Sequence, residues 1–243
     1  MRDDTVAGPV DAADPADPSA LVFGVLRGAG VDLWGAAANE PRLPLSPALP
    51  VAISLAMRID QRALERLEHG DPRTYRGEYR RLNAALDDAS AALASALRAA
   101  GAAAEALPAT VYAKRPPTDD WLAAGVFPHK TAATRAGLGW IGKTALFVSP
   151  ELGPKVRLAT VFTDLPLPVA APVTEGSCGA CTRCVDACPA GAGRDVTWQV
   201  GMPRDDLFDA GACERYMDGA DPSGHGTCGL CVAACPFGRL GAA

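Results

Sequence analysis

Apolar and polar positions in the first part of the chain predict alternating helices and strands. Residues 17–30 have the pattern of a short helix, whereas residues 31–39 (VDLWGAAAN) and 51–57 (VAISLAM) are mainly apolar runs of strand length. The proline-rich stretch 41–50 between these runs indicates a loop. The chain is therefore expected to open with a helix, a strand, a loop and a second strand.

The clearest predicted helix runs from Pro72 to Ala100. Its large apolar side chains recur at spacings of three, four or seven, which is the period of one helical face. Asp71 is a suitable N-cap before a proline at the first helical position, and Gly101 is a suitable end. We interpret the apolar positions, including both tyrosines, as core packing: Tyr75, Tyr79, Leu82, Leu86, Leu93 and Leu97.

A second helix is predicted over residues 129–136, ending at Gly137. Two apolar runs, 145–149 and 156–165, flank a turn that contains proline and glycine, and this arrangement predicts a β-hairpin. The proline-rich segment 165–176 is typical of an extended linker. Together these elements predict a mixed α and β organisation before the linker.

Composition places the chain among ordinary globular proteins, because 49% apolar and 21% charged residues exclude the disordered class. The first 20 residues lack the basic start and apolar run of a secretory signal. No uncharged apolar stretch approaches the roughly 20 residues that a membrane helix needs. We therefore expect a soluble, cytoplasmic protein that does not enter a membrane.

The net charge of −5 is concentrated near the end of the chain. Residues 171–243 contain five Arg against nine Asp and Glu, a balance of −4, whereas the preceding 170 residues are close to neutral. Nucleic-acid-binding proteins usually carry an excess of basic residues, since neutralised phosphates supply most of their affinity. The composition therefore gives no sign of a nucleic-acid-binding protein.

All eight cysteines lie after residue 170. In a chain without a secretory signal they favour metal binding or redox chemistry over disulfides. The first motif is Cys178-x2-Cys181-x2-Cys184-x3-Cys188-Pro, which matches the run found in bacterial ferredoxins. There the first three thiolates bind one 4Fe–4S cluster and the fourth binds a second cluster.

The second motif, Cys228-x2-Cys231-x3-Cys235-Pro, lacks the first cysteine of such a run and has His225 there instead. Cys213 supplies the missing thiolate, whereas ligation by His225 would leave Cys213 unused. The crossed arrangement assigns Cys178, Cys181, Cys184 and Cys235 to one cluster, and Cys188, Cys213, Cys228 and Cys231 to the other.

The spacing of these cysteines favours iron–sulfur clusters over zinc, which in structural sites usually takes two separated pairs of ligands. Two adjacent clusters also favour electron transfer over a purely structural role, because one cluster would be enough to brace a fold. We therefore predict an α+β fold of three parts: a flexible arm (1–16), an α+β cofactor or substrate domain (17–170), and a ferredoxin-like domain with two 4Fe–4S clusters (171–243).

The segment 127–154 (FPHKTAATRAGLGWIGKTALFVSPELGP) is dense in glycine, which lets a backbone approach a ligand closely. A tight helix-to-strand turn explains the same glycines, with the aromatic residue in the core and the lysine solvated. We expect the loop to face the cysteine-rich domain across a cleft. Candidate cofactor-binding residues are Gly137, Gly139, Trp140, Gly142 and Lys143, and candidate catalytic residues are His129, as proton donor, and Lys130, as anion clamp.

This segment and the cysteine motifs together resemble the epoxyqueuosine reductase family, whose signature runs approximately ER-x-x-A-x-x-AGLGW-x-GK. AGLGWIGK matches at residues 136–143, and His129 and Lys130 stand where the family has Glu-Arg. The sequence LPLP, both cysteine motifs and the isolated Cys213 then follow in the family's order. The resemblance covers at least residues 127–237.

The resemblance implies a reductase in which two clusters pass electrons to cobalamin, which then acts on an epoxide in a modified tRNA base. In that family an Asp supplies a proton, but ungapped alignment places Ala123 there, and Asp119 or Asp120 would serve only with a gap. The family also continues into a helical-repeat tail that helps to hold tRNA, whereas this sequence stops at Ala243.

We therefore expect a short relative of epoxyqueuosine reductase that passes single electrons through its clusters to cobalamin, another cofactor or a small-molecule substrate at the domain interface. Its electron donor would be a protein such as ferredoxin or flavodoxin. The main alternative is a non-enzymatic electron carrier, and a third is a sensor of iron or oxygen with labile clusters. The large N-terminal domain favours an enzyme, because a carrier needs only the cluster domain.

Overall fold

The structure is a computed structural model that describes residues 18–109, 127–220 and 227–238. The predicted arm (1–16) lies outside the described residues, as do Asp119, Asp120, Ala123 and His225. In chain order the elements are α1 (Pro18–Gly28), β1 (Leu33–Ala38), β2 (Val51–Arg58), α2 (Gln61–Glu68), α3 (Pro72–Ala99), β3 (Ala104–Leu107), α4 (His129–Arg135), β4 (Trp140–Ile141), β5 (Phe147–Val148), β6 (Val156–Thr163), α5 (Arg183–Asp186), α6 (Arg204–Leu207), α7 (Ala210–Ala220) and α8 (Leu230–Ala234).

The chain forms two compact units, each built from separate stretches of sequence. The first unit comprises Met1–Arg58, Arg81–Leu138 and Arg157–Val173, and the second comprises Ile59–Arg80, Gly139–Val156 and Thr174–Ala243. The chain passes from the first unit to the second for the last time after Val173, close to the predicted domain boundary at residue 170. Two earlier segments, 59–80 and 139–156, nevertheless belong with the cysteine-rich part of the chain and not with the N-terminal part.

The first unit contains a four-stranded sheet in the order β1-β2-β6-β3. β1 and β2 are antiparallel, as are β3 and β6. Strands β1 and β2 are buried on both faces along nearly their whole length, which explains why they are continuous apolar runs. Helix α4 packs on both strands. At Gly35 of β1 a side chain would meet Leu138 at 2.8 Å, so the close packing there needs glycine.

The predicted long helix is confirmed as α3. The backbone N–H of Arg73 donates to Asp71 Oδ1 at 3.1 Å, so Asp71 is the expected N-cap. The predicted apolar face is buried at Tyr75, Leu82, Leu86, Leu93 and Leu97, and Tyr79 is partly buried. Burying each of these side chains contributes roughly 1.5–3 kcal/mol to the stability of the fold.

The predicted β-hairpin between residues 145–149 and 156–165 is wrong. β5 pairs instead with β4, with Trp140 opposite Val148 and Ile141 opposite Phe147, and β6 joins the four-stranded sheet. The sequence pattern identified apolar strands, but it did not identify their partners. Strand β6 is mostly buried along its length, and a two-stranded hairpin cannot cover both of its faces.

The second unit consists mainly of short helices and turns. Helix α8 packs against α2 and α5. Gly229, with φ +80°, begins α8, and a Cβ there would overlap the ring of Tyr75. This contact supports the interpretation of Tyr75 as a packing residue. Among the described residues, every helix is too short or too polar to cross a bilayer.

Candidate metal centre

The eight cysteines all lie in the second unit, on three short helices and the turns beside them. Cys184 is on α5, Cys213 on α7 and Cys231 on α8. All eight are free thiols, and each is partly or fully buried. Partial burial of so many unpaired thiols is typical of a metal site and not of a disulfide scaffold.

Four of the thiols form a first group around Cys184, whose thiol is influenced by the other three. Burial, and then the neighbouring Cys235, Cys178 and Cys181, raises the pKa of the Cys184 thiol to about 11. Burial also raises the pKa of Cys235, and Cys178 and Cys181 contribute in the same direction. The first thiol group is therefore Cys178, Cys181, Cys184 and Cys235.

The other four thiols form a second group. Burial, and then Cys188 and Cys228, raises the pKa of Cys213 to about 11. Burial, and then Cys228 and Cys213, raises the pKa of Cys231 to about 12. Cys184 also raises the pKa of Cys231, so the two groups are close to each other. The second thiol group is therefore Cys188, Cys213, Cys228 and Cys231.

These are the two sets of four that the crossed cysteine pattern combines, although ligation itself stays a prediction. Within the described residues, no three His, Cys, Asp or Glu side chains converge as they would around a single metal ion. Thiolates are the soft donors that iron–sulfur clusters take, and binding iron would displace the protons that buried thiols retain.

Trp140 lies directly beside the first thiol group. Its indole Nε1–H donates to Cys178 Sγ at 3.3 Å, and its ring meets that of Phe237 edge to face at 5.1 Å. Trp140 is one of the candidate cofactor-binding residues, and in the structure it contacts a predicted cluster ligand.

The three glycines of the loop pack against the chain itself. A Cβ at Gly142 would meet Val148 Cγ2 at 2.9 Å, and one at Gly139 would overlap the carbonyl of Val148. Gly137 has a φ of +72°, and a Cβ there would lie 3.0 Å from Ala170 Cβ. Because packing and backbone conformation already require glycine here, the density of glycines is no argument for a cofactor.

Lys143 is buried, with 4% of its side chain exposed. Its Nζ donates to Asp195 Oδ1 at 2.6 Å, and the Asp195 side chain is 53% exposed. The lysine is therefore neither solvated, as the simpler interpretation expected, nor available as an unpaired cation for a phosphate. The partner lies 52 residues away in sequence, so local pattern could not have indicated it.

The two candidate catalytic residues belong to the first unit, at the start of α4. His129 Nε2 lies 2.9 Å from the carbonyl of Pro108, and Nδ1 lies 2.9 Å from Thr160 Oγ1. A carbonyl only accepts, so Nε2 carries the proton and Nδ1 accepts from the hydroxyl. Burial lowers the pKa of His129 to about 4, so the ring is neutral near pH 7. The two hydrogen bonds of His129 favour a structural role over proton donation. Lys130, the other candidate catalytic residue, is partly exposed.

Two residues beside the thiols escaped sequence reasoning. The buried hydroxyl of Thr144 hydrogen-bonds to the Cys231 thiol, and Lys155 Nζ donates to the carbonyls of Cys235, at 2.9 Å, and Phe237. Thr144 directly follows the signature AGLGWIGK, and this position was the one feature of the sequence that could have identified it. Nothing in the sequence distinguishes Lys155 from a surface lysine at the end of a turn.

The fold is that of reductive dehalogenases and epoxyqueuosine reductases. A catabolic reductive dehalogenase superimposes with a TM-score of 0.69 at 19% identity, over 95% of this chain and 33% of that one. Epoxyqueuosine reductase from Bacillus subtilis superimposes with a TM-score of 0.58 at 18% identity, over 91% of this chain and 65% of that one. At these identities the likeness concerns the fold alone.

The sequence is similar to proteins named epoxyqueuosine reductase. That of Cyclobacterium marinum is 34% identical over 120 residues (44% of this chain, 36% of that protein), and that of Bacillus anthracis is 41% identical over 68 residues (28% and 18%). Tetrachloroethene reductive dehalogenase of Sulfurospirillum multivorans is 35% identical over 125 residues (46% and 24%). The chain thus spans between about a fifth and a third of these relatives, and no protein-family model matches it.

Proposed function

We propose that this chain is an iron–sulfur oxidoreductase that carries two 4Fe–4S clusters in a ferredoxin-like region of the second unit. The observation that carries the proposal is the collection of eight free, partly or fully buried thiols in the second unit, spaced in the sequence as two sets of four. The similarity to epoxyqueuosine reductases and to a reductive dehalogenase supports redox chemistry.

The first thiol group would hold the first cluster and the second thiol group the second cluster. A bound 4Fe–4S cluster supplies reversible transfer of one electron. The chain's part is to bury the thiolates and to direct N–H groups at them. The amide of Ala192 lies 3.4 Å from Cys188 Sγ, and the amides of Leu230 and Phe237 hydrogen-bond to Cys228 and Cys235. Such hydrogen bonds favour the thiolate form that binds iron.

The acceptor of the electrons would be a cofactor or small molecule, with a ferredoxin or flavodoxin as donor. One of the similar structures is described as suggesting a mechanism for B12-dependent dehalogenation, which makes cobalamin a candidate. In this chain the glycines of the signature loop pack against the chain itself and do not form the expected cradle for such a cofactor. We therefore derive no step that involves cobalamin.

A nucleic-acid substrate is a weaker proposal. One similar structure is a complex of epoxyqueuosine reductase with a modified tRNA stem loop. For this chain the net charge of −5 predicts weak tRNA binding. Binding with a sub-micromolar Kd at about 150 mM salt, weakening steeply with added salt, would contradict that prediction.

The cluster assignment is tested by iron and sulfide analysis after anaerobic reconstitution. The wild-type chain should bind about eight iron and eight sulfide ions. Cys213→Ala should lose about half of each, or leave a 3Fe–4S centre visible by EPR, because it removes one ligand of the second cluster. His225→Ala is the matched control and should keep both clusters. About one zinc without sulfide in the wild type would overturn the proposal.

A further inference from the structure

The two predicted clusters have different surroundings, and the difference begins with Lys155. Only 3% of this side chain is exposed. Its ammonium donates to the carbonyls of Cys235, at 2.9 Å, and Phe237, directly after α8. A full positive charge is therefore buried beside a ligand of the first cluster.

Trp140 acts on the same cluster through a second ligand. Its indole N–H donates to Cys178 Sγ at 3.3 Å, within hydrogen-bonding distance for sulfur. A donor at a ligating sulfur withdraws negative charge from it and so stabilises the reduced cluster, which carries one more electron. The ammonium of Lys155 and the indole N–H of Trp140 therefore both favour the reduced form of the first cluster.

The second cluster has a less positive environment. The amide of Ala192 lies 3.4 Å from Cys188 Sγ, and Thr144 hydrogen-bonds to Cys231; both are neutral donors, as Trp140 is at the first cluster. The residue next to Cys213 in the chain is the acidic Glu214, which is partly buried. A negative charge near a cluster ligand opposes the addition of an electron, and the low dielectric around the fully buried Lys155 strengthens the opposite effect at the first cluster.

We propose that the first cluster has the higher reduction potential, with Lys155 as the main determinant and Trp140 as the second. The inference rests on the proposed function, because it requires both clusters. An electron taken from a low-potential one-electron donor protein would then reside on the first cluster, with no bond formed or broken. The segment 139–156 thus acts as a positioning element for charge and for hydrogen bonds, and not as a cofactor cradle.

The test is a potentiometric titration of the anaerobically reconstituted full chain, followed by EPR, with Cys181→Ser used to assign the signal of the first cluster. In the wild type, the first cluster should be reduced at the higher potential. Lys155→Met should shift its midpoint to a more negative value and leave that of the second cluster in place. Lys155→Arg, which keeps the charge, should restore most of the wild-type value.

Trp140→Phe keeps the ring but removes the N–H, and should give a smaller negative shift of the first cluster alone. Thr144→Val should shift only the second cluster. If Lys155→Met does not retain two clusters, Trp140→Phe decides: a selective negative shift supports the proposal, and no shift overturns it.

The order of the potentials also separates this inference from the proposed function. A wild-type chain with fewer than two clusters, by iron and sulfide content, would end the proposed function before any potential is measured. The inference alone would be overturned if both clusters were present and the second had the higher reduction potential. It would also be overturned if Lys155→Met shifted both midpoint potentials equally.

Discussion

The two units are stabilised in different ways. The first unit contains eight-residue strands and most of the 28-residue helix α3, with strands buried on both faces. In the second unit, helices α5, α6 and α8 are four or five residues long. Among its described residues from 174 onward, the buried hydrophobic side chains are Ala192, Trp198, Leu207, Val232, Ala233 and Cys235. This stretch has few buried side chains of its own and relies on those of segments 59–80 and 139–156, so we expect bound metal to contribute to its stability.

The largest expected effect is the response to cluster removal. Stripping the iron with a chelator should unfold much of residues 174–220 and 227–238, because buried thiols would lose the cations that hold them together. Strands β1 and β2 should stay folded. Hydrogen exchange measured by mass spectrometry on the full chain checks this. Loss of protection in β1 and β2 at the same step would show that the two units do not differ as described.

Truncating a core side chain in the first unit should lower the stability of the fold without removing the clusters. Leu86→Ala removes a fully buried side chain of α3 and should cost about 2–5 kcal/mol of unfolding free energy. Iron and sulfide content should not change. Leu45→Ala, at a side chain 48% exposed in the same unit, is the control and should change stability by less than about 0.5 kcal/mol. Denaturant unfolding measures both, and loss of clusters in Leu86→Ala would contradict the separation.

Acid should weaken the first unit through His129. Its pKa is about 4 in the folded chain, because burial disfavours the charged ring, and about 6.5 when unfolded. The unfolded chain therefore binds the proton more readily, so the stabilisation is complete above pH 6.5 and is lost as the pH falls toward 4. The loss is on the order of 3 kcal/mol. NMR titration of the His129 ring measures the folded pKa, and a value near 6.5 would contradict the burial argument.

The control for this pH dependence is His129→Gln. The glutamine amide keeps a donor for the Pro108 carbonyl but does not titrate in this range. Its stability in denaturant should therefore change less between pH 7 and pH 5 than that of the wild type. Equal pH dependence in the two proteins would mean that other groups carry the effect.

The smallest expected effect concerns Lys143. Lys143→Met should change the unfolding free energy by only about 1 kcal/mol, because the half-exposed carboxylate of Asp195 can be hydrated once its partner is gone. Both clusters should remain by iron analysis. A large fall in cluster content would place this ion pair among the determinants of the second unit.

Sequence reasoning worked best where the signal is local. The face of α3 and its cap at Asp71 were predicted because helical spacing and capping involve residues close together in the chain. The ligand sets of the two clusters also follow from local spacing, and they stay a prediction. Three members of each motif are fixed by spacings of two or three residues, and the fourth ligand follows from counting the cysteines that remain.

Sequence reasoning failed where the partner is distant. The strand pattern of β6 indicated burial, but periodicity does not identify the neighbouring strand, and the predicted hairpin was wrong. The glycines at 137–142 indicated a close approach, and only the structure identified Val148 and Ala170 as the groups approached. The partners of His129, Pro108 and Thr160, are likewise distant in the sequence, and its role as a proton donor stays a prediction.

The sequence by itself thus determined the positions and spacing of eight thiols, which predict two clusters, and a signature segment upstream of them. The tertiary structure decided what the signature segment contacts, by bringing Trp140 to Cys178, Thr144 to Cys231 and Lys155 to Cys235. The physical reason is distance along the chain. Lys155 and Cys235 are 80 residues apart, and burial of an ammonium beside a thiol depends on packing that no local pattern specifies.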